Sequence, residues 1–409
     1  MELYQYQYAI KNVTITTDKN YNIFDGAVNY LFIQHDYLKR RMPIIRLTIE
    51  LDKDVIASIY KNKDTAVIKL EVFEQQLDAD SKIINTSLFL KHTFSIIPAK
   101  NQNQYITSSD STTEASMDTM QTLQLFEAYL MDMTAVAWFS KQLDNIFEKA
   151  AKPAALQALF QIRDVPNGIL IATPPQDNKI INYMILPLGD LIGNIDVLNK
   201  TYGIYDSYPI IYYDLQYLYC INRMNPNIVL PSATDFGNIT FILKNPTTPE
   251  HQISGSCTDV ATKTHYINLR EEPKINDYTN MITSTKFSTI GSIDVDGKFV
   301  KTTLDNDATT LKYVFEQNAM TVDQIVNENM NGPTIVMAVN SIAASMLKPY
   351  KNITFDVDTQ YTNLGLEGHI YRLNAWNLSI TREGTGENAV YIHDVIISIT
   401  QPKIDNTKS

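Results

Sequence analysis

The chain has 409 residues and a formal net charge of −11, with 44% hydrophobic and 19% charged residues. That length calls for two to four domains, and the composition is globular and not disordered. An acidic balance argues against a protein that reads nucleic-acid sequence, which needs a basic footprint.

The first informative stretch is YLFIQHDYLKRRMPIIRLTIELD, which opens at Tyr30. An apolar strand (Leu31, Phe32, Ile33) leads into a charged corner (His35, Asp36, Lys39, Arg40, Arg41), then Pro43, then a second strand. In that strand Ile45, Leu47, Ile49 and Leu51 alternate with Arg46, Thr48 and Glu50, the pattern of a strand with one buried face. Upstream, Tyr4, Tyr6, Tyr8 and Ile10 alternate, as do Val13 and Ile15. VIKLEVFE at 67–74 and SLFLKHTFSII at 87–97 complete a run of short antiparallel strands, as in a small barrel or sandwich.

Residues 101–117 are polar and rich in Ser and Thr, a linker composition. Leu123, Phe126, Leu130, Met133 and Ala137 then follow three-and-four spacing, extended by Phe139, Leu143, Ile146 and Phe147. This predicts a long amphipathic helix over 118–151 with Asp118 as its cap. A short helix follows Pro153, and another is predicted over 187–202, with Pro187 in its first turn and Gly203 as its C-terminal cap. The buried stripe of that helix is Leu188, Leu191, Ile195, Leu198 and Tyr202. An aromatic β segment spans 202–223, a helix capped by Thr321 is expected near 321–330, and strands return from 350 to 402.

Catalytic and ligand signatures are missing from the sequence. There is no GxGxxG or Walker loop, no HExxH and no GxSxG elbow. His251, Cys257 and His265 miss zinc spacing, and Asp294, Asp296 and Gly297 misplace the glycine of a calcium loop. The expectation is a chain with no catalytic residue, no metal and no cofactor. Two cysteines, Cys220 and Cys257, argue against a disulfide framework. The opening residues MELYQYQYAIKN do not have the form of a signal peptide, and no apolar run reaches a membrane span. The aromatic run has two readings, a stacking platform for sugars or bases, or a core or subunit interface. Its lack of basic residues favours the second. Lys39, Arg40, Arg41, Tyr212, Tyr213 and Tyr217 are the candidate inter-subunit interface.

Three strings, at 30–45, 188–223 and 364–399, together with the order strands, helical insert, strands, resemble the gp27-like phage tail baseplate hub family shared with contractile injection machines. The resemblance implies a β-rich α+β fold with two small antiparallel β-barrel tube domains. The first would span 1–110 and the second 226–270 with 335–409, around a largely helical insertion at 111–225 and a mixed insertion at 271–334. It further implies a homotrimer in the virion tail baseplate, a pseudo-hexameric ring adapting a six-fold tail tube to a three-fold spike. The implied partners are the tail tube protein, a central spike or tail-tip lysin and baseplate wedge proteins, with DNA only in transit and no membrane span. Synthesis would be in the host cytoplasm. The alternative is a peripheral or receptor-binding baseplate protein that contacts host glycans.

Overall fold

The structure is a computed structural model that describes residues 4–99, 123–175, 177–205, 209–223, 228, 236–244, 255–269, 272–276, 289–293, 299–303, 315–316, 331–384 and 390–402. In chain order the first elements are β1 (Gln5–Thr16), β2 (Asn20–Asn22), β3 (Val28–Asp36), β4 (Ile44–Leu51), α1 (Lys53–Lys61), β5 (Val67–Leu77), β6 (Ile83–Pro98) and β7 (Gln124–Met131). Then come α2 (Met133–Ser140), β8 (Leu143–Ala151), α3 (Lys152–Ile162), β9 (Leu170–Ala172), β10 (Ile180–Gly189), α4 (Leu191–Tyr202), β11 (Pro209–Tyr213) and β12 (Leu218–Asn222). The strands that follow are β13 (Asn238–Leu243), β14 (Ser256–Asp259), β15 (Thr264–Asn268), β16 (Lys274–Asn276), β17 (Thr289–Ile293) and β18 (Phe299–Thr303). The last are β19 (Phe315–Glu316), β20 (Asn331–Ala338), β21 (Asn352–Val357), β22 (Arg372–Glu383) and β23 (Val390–Pro402).

Eleven strands form one sheet in the order β16-β20-β23-β22-β3-β4-β7-β6-β5-β1-β2. Its centre joins the two ends of the chain: β3 pairs antiparallel with β22, Ile33 opposite Leu378 and Leu31 opposite Ile380. Alternation explains the burial. Leu31, Ile33, Ile45, Leu47, Ile49, Leu378 and Ile380 all point inward and are buried. The sheet rolls until β1 lies beside β23, where Tyr8 and His393 meet edge to face with ring centroids 5.0 Å apart. A four-stranded sheet, β14-β15-β13-β21, covers the same core, with β13 parallel to both β15 and β21. Isolated bridges tie it to the large sheet at both sides, Tyr4 to Ser256 and Ile353 to Tyr371.

The predicted helix over 118–151 is corrected: residues 124–131 are strand β7, 133–140 are α2 and 143–151 are strand β8, while 118–122 lie outside the described residues. Phe126, Ala128 and Leu130 alternate inward, and β7 fills the gap between β4 and β6. Helical and strand periods both fit Phe126 and Leu130, and the ladder to β4 decides between them. The cap is Asp132, whose carboxylate accepts from the N–H groups of Thr134 and Ala135. The helix over 187–202 begins later, at Leu191, with Asp190 as its cap, because Pro187 and Leu188 belong to β10. Gly203 does end it, in the left-handed conformation at φ 65°. The helix near 321–330 lies outside the described residues.

Helices α2, α3 and α4 enclose a second core with β10 and the β11–β12 hairpin. Arg163 is buried there, donating to the carbonyls of Trp138 and Gly189 and to Asn194 Oδ1, so one guanidinium ties α2, β10 and α4. Lys152, also buried, pairs with Asp177 at 3.0 Å and donates to the Gly203 carbonyl. The region expected to be largely helical is thus mixed, short helices over a two-stranded ribbon of β8 and β10 and a three-stranded sheet, β11-β12-β9. Among the described residues no helix is long and apolar enough to cross a membrane.

Candidate inter-subunit interface

The β3–β4 corner is built from a short acidic turn. The Asp36 carboxylate accepts from the backbone N–H of Leu38 and of Lys39 at 3.2 and 3.0 Å, and the Arg40 N–H donates to the Asp36 carbonyl. This tightens the turn and leaves Lys39, Arg40 and Arg41 exposed. Arg41 is held from two sides. Its guanidinium pairs with Asp190 at 2.8 Å, and its carbonyl accepts from the Tyr213 N–H at 2.8 Å. Burial alone would raise the Asp190 carboxyl, but the Gly193 N–H and the Arg41 charge hold it below its ordinary value. A cavity of about 490 Å³ opens here, with Lys39, Arg40, Arg41 and Arg223 around Leu38, Ile192 and Ile211.

Beneath the corner lies a network of aromatic and charged side chains drawn from three distant parts of the chain. The His35 ring stacks on Trp376 at 4.1 Å, and its Nδ1 lies 3.1 Å from the Tyr212 hydroxyl. Trp376 Nε1 donates to the Tyr37 hydroxyl, which in turn donates to the Leu347 carbonyl. Burial pulls the His35 pKa down to about 3, so the ring is neutral. One residue beyond Tyr213, Asp214 accepts from Lys348 Nζ at 2.7 Å, from the Tyr219 hydroxyl at 2.9 Å and from the N–H groups of Gln216 and Tyr217. Burial works against its charge, yet Lys348 and those N–H donors keep the Asp214 carboxyl below the ordinary range.

The six sequence-derived interface residues therefore separate. Lys39, Arg40 and Arg41 sit together at the surface, and Tyr217 is half-buried with Lys348 Nζ 6.0 Å above its ring. Tyr212 is 0% exposed and Tyr213 is buried against Trp138, so both belong to the interior of the subunit, which corrects their assignment as contact residues. The reason is that both faces of β11 are covered, one by each core. Sequence reasoning missed Asp190, Asp214, Lys348 and Trp376, and it set His35 in the charged corner, whereas the structure buries it within β3. Only His35 and Trp376 carried a signal, as inward positions of alternating strands. Among the described residues no group of His, Cys, Asp or Glu is arranged to hold a metal ion, and His265 Nδ1 pairs with the Thr258 hydroxyl at 3.1 Å.

A family model described as the bacteriophage PBS1 gene 109 protein matches residues 2–390. No curated protein matches the chain. Among solved structures the chain is similar to the tail protein from Neisseria meningitidis MC58, at 10% identity over 96% of each chain and a TM-score of 0.49. It is also similar to a chain of the Francisella PdpA-VgrG complex in its lidded form, at 12% identity and a TM-score of 0.49, covering 100% of this chain and 55% of that one. A third is the E. coli c3393 protein, described as a component of the type VI secretion system with structural similarity to T4 bacteriophage tail proteins gp27 and gp5. That match has 9% identity, a TM-score of 0.41 and coverage of 98% of this chain and 77% of that one. The match to a phage family agrees with the resemblance read from the three strings of the sequence.

Proposed function

The chain belongs to the family of the bacteriophage PBS1 gene 109 protein, and from that premise we propose that it is a structural hub of a phage tail baseplate. In this reading three copies form a ring on the tail axis, adapt the six-fold tube to a three-fold spike, and surround the channel through which DNA passes. The ring contacts tail tube, spike or tip lysin, and wedge proteins, and the chain itself makes and breaks no bonds. The observation that carries the reading is the rolled eleven-stranded sheet, in which strands from both ends of the chain share one core. Its finer form has two small barrels per subunit; what the structure offers toward that is a sheet that curls until β1 approaches β23, with a four-stranded sheet bridged to it at two sides. A ring also gives the outermost strands, β2 and β16, a neighbour in place of solvent.

Electron cryomicroscopy of the intact tail tests this. The expected result is density for three copies in a ring on the tail axis. A chain at the tail periphery, with the isolated protein binding host cell-wall glycans, would replace the hub reading with that of a peripheral or receptor-binding protein.

A further inference from the structure

Two exposed surfaces beside the second core have complementary character. The first is the outer face of the β8–β10 ribbon. Alternation along β8 turns Phe147 inward and Asp144, Ile146 and Glu148 outward. On β10, Met184 and Leu186 are buried, while Tyr183 and Ile185 are 62% and 57% exposed. Ile146 stands directly opposite Ile185 and Glu148 opposite Tyr183, so the face is an apolar stripe flanked by carboxylates. Neither Asp144 nor Glu148 has an ion-pair partner among the described residues. The ribbon's outer edges carry plugs. The Ile185 N–H donates to the Tyr202 hydroxyl, Pro187 has no N–H, and the Ile146 N–H donates to Asn145 Oδ1. Strand addition is disfavoured there, and what remains open is the face.

The second surface is the 490 Å³ groove at the β3–β4 corner, where Lys39, Arg40 and Arg223 surround an apolar floor that includes Leu38 and Ile192. Arg223 donates to Asn374, and Arg41 is engaged with Asp190, but Lys39 and Arg40 have no ion-pair partner among the described residues. A basic groove on a chain of net charge −11 is matched by its own acidic surface. We propose that the acidic–apolar face of the β8–β10 ribbon in one copy seats in the basic–apolar groove of a neighbouring copy. Asp144 and Glu148 meet Lys39 and Arg40, and Ile146, Tyr183 and Ile185 cover the groove's apolar floor. The inference rests on the reading of the chain as a self-assembling hub. The geometry suits a closed ring. Asp190, which follows β10 directly, touches Arg41 of the corner, so the two surfaces adjoin within one subunit. A contact between different patches closes a ring where its rotation closes, and otherwise runs on as a filament.

Mass photometry of the full-length chain tests it, using Lys39→Glu with Arg40→Glu, Asp144→Lys with Glu148→Lys, and a chain carrying all four reversals. The expected result is a wild-type trimer, a dissociation constant raised at least tenfold by either reversed pair, and a trimer restored by the four-fold reversal. Unchanged circular dichroism and melting show that each variant folds, and zero-length carbodiimide cross-linking should join Lys39 of one copy to Asp144 or Glu148 of another. A wild-type trimer that both reversed pairs leave intact, or that the four-fold reversal fails to restore after both have broken it, overturns this contact and leaves the hub reading standing. A wild-type dimer that is broken and restored by the same variants keeps the contact and removes the trimer. A wild type that stays monomeric removes both.

Discussion

Tyr213 and Asp214 are consecutive, yet they are held by two cationic residues in opposite settings. The Tyr213 N–H is bound by Arg41, whose guanidinium stays near water with Asp190, while the Asp214 carboxylate is bound by Lys348 inside the protein. The contrast separates charges that define the subunit from charges that remain at its surface. A buried ion pair has lost its water on both sides, so each partner depends on the other. An exposed pair exchanges one good partner for another at little cost.

The sharpest way to break the comparison is Lys348→Met, which leaves the Asp214 carboxylate buried and unpaired. It should lower unfolding stability by about 3–5 kcal/mol. Adding Asp214→Asn to the same chain should recover much of the loss, with both read from urea denaturation.

Acid should act next. The folded pKa of His35 is about 3, below its unfolded value, so the unfolded state takes up the proton first. Its share of stability is complete above about pH 6.5, the ordinary histidine value, and falls by about 1.4 kcal/mol per pH unit as pH drops toward 3. His265, pulled down by burial to about 4, adds to the same slope. The measurement is stability against pH for the wild type and His35→Gln, whose slope should be smaller by one proton. Equal slopes would show that His35 is already charged in the folded protein.

Trp376→Phe removes the bond to the Tyr37 hydroxyl and part of the stack on His35, and should reduce stability by about 1–3 kcal/mol in thermal unfolding. At the other end of the scale, Arg41→Ala should change stability by about 0–1 kcal/mol, because its pair with Asp190 is exposed and the Tyr213 N–H bond uses only backbone. A loss as large as that of Lys348→Met would erase the distinction between the two regions.

Legibility in the sequence follows the same division. Strands with one wet face were readable because alternation marks them, as at Ile45–Leu51 and Ile353–Val357. The corner at Lys39–Arg41 was readable as exposed because three successive cations resist burial. Strand β7 was misread because Phe126 and Leu130 satisfy two periods at once, and helix α1 was passed over between two clear strands. Tyr212 and Tyr213 were misplaced because an unbroken aromatic run does not reveal whether one or both of its faces are covered. The junction itself was beyond reach. His35 meets Tyr212 across 177 residues and Asp214 meets Lys348 across 134, and nothing local in the sequence connects them.

The pairing of β3 with β22 has a consequence for biogenesis. Asp36 finds its ladder partner at Ala375, about 340 residues later. At ~5–20 residues per second, a ribosome takes roughly 20–70 s to supply that partner. Throughout that interval the nascent chain displays an apolar strand with one margin bare, and the central ladder closes only after Ala375 has been made. Native contacts of such long range slow folding, so newly made chains should depend on chaperone shielding before they can assemble.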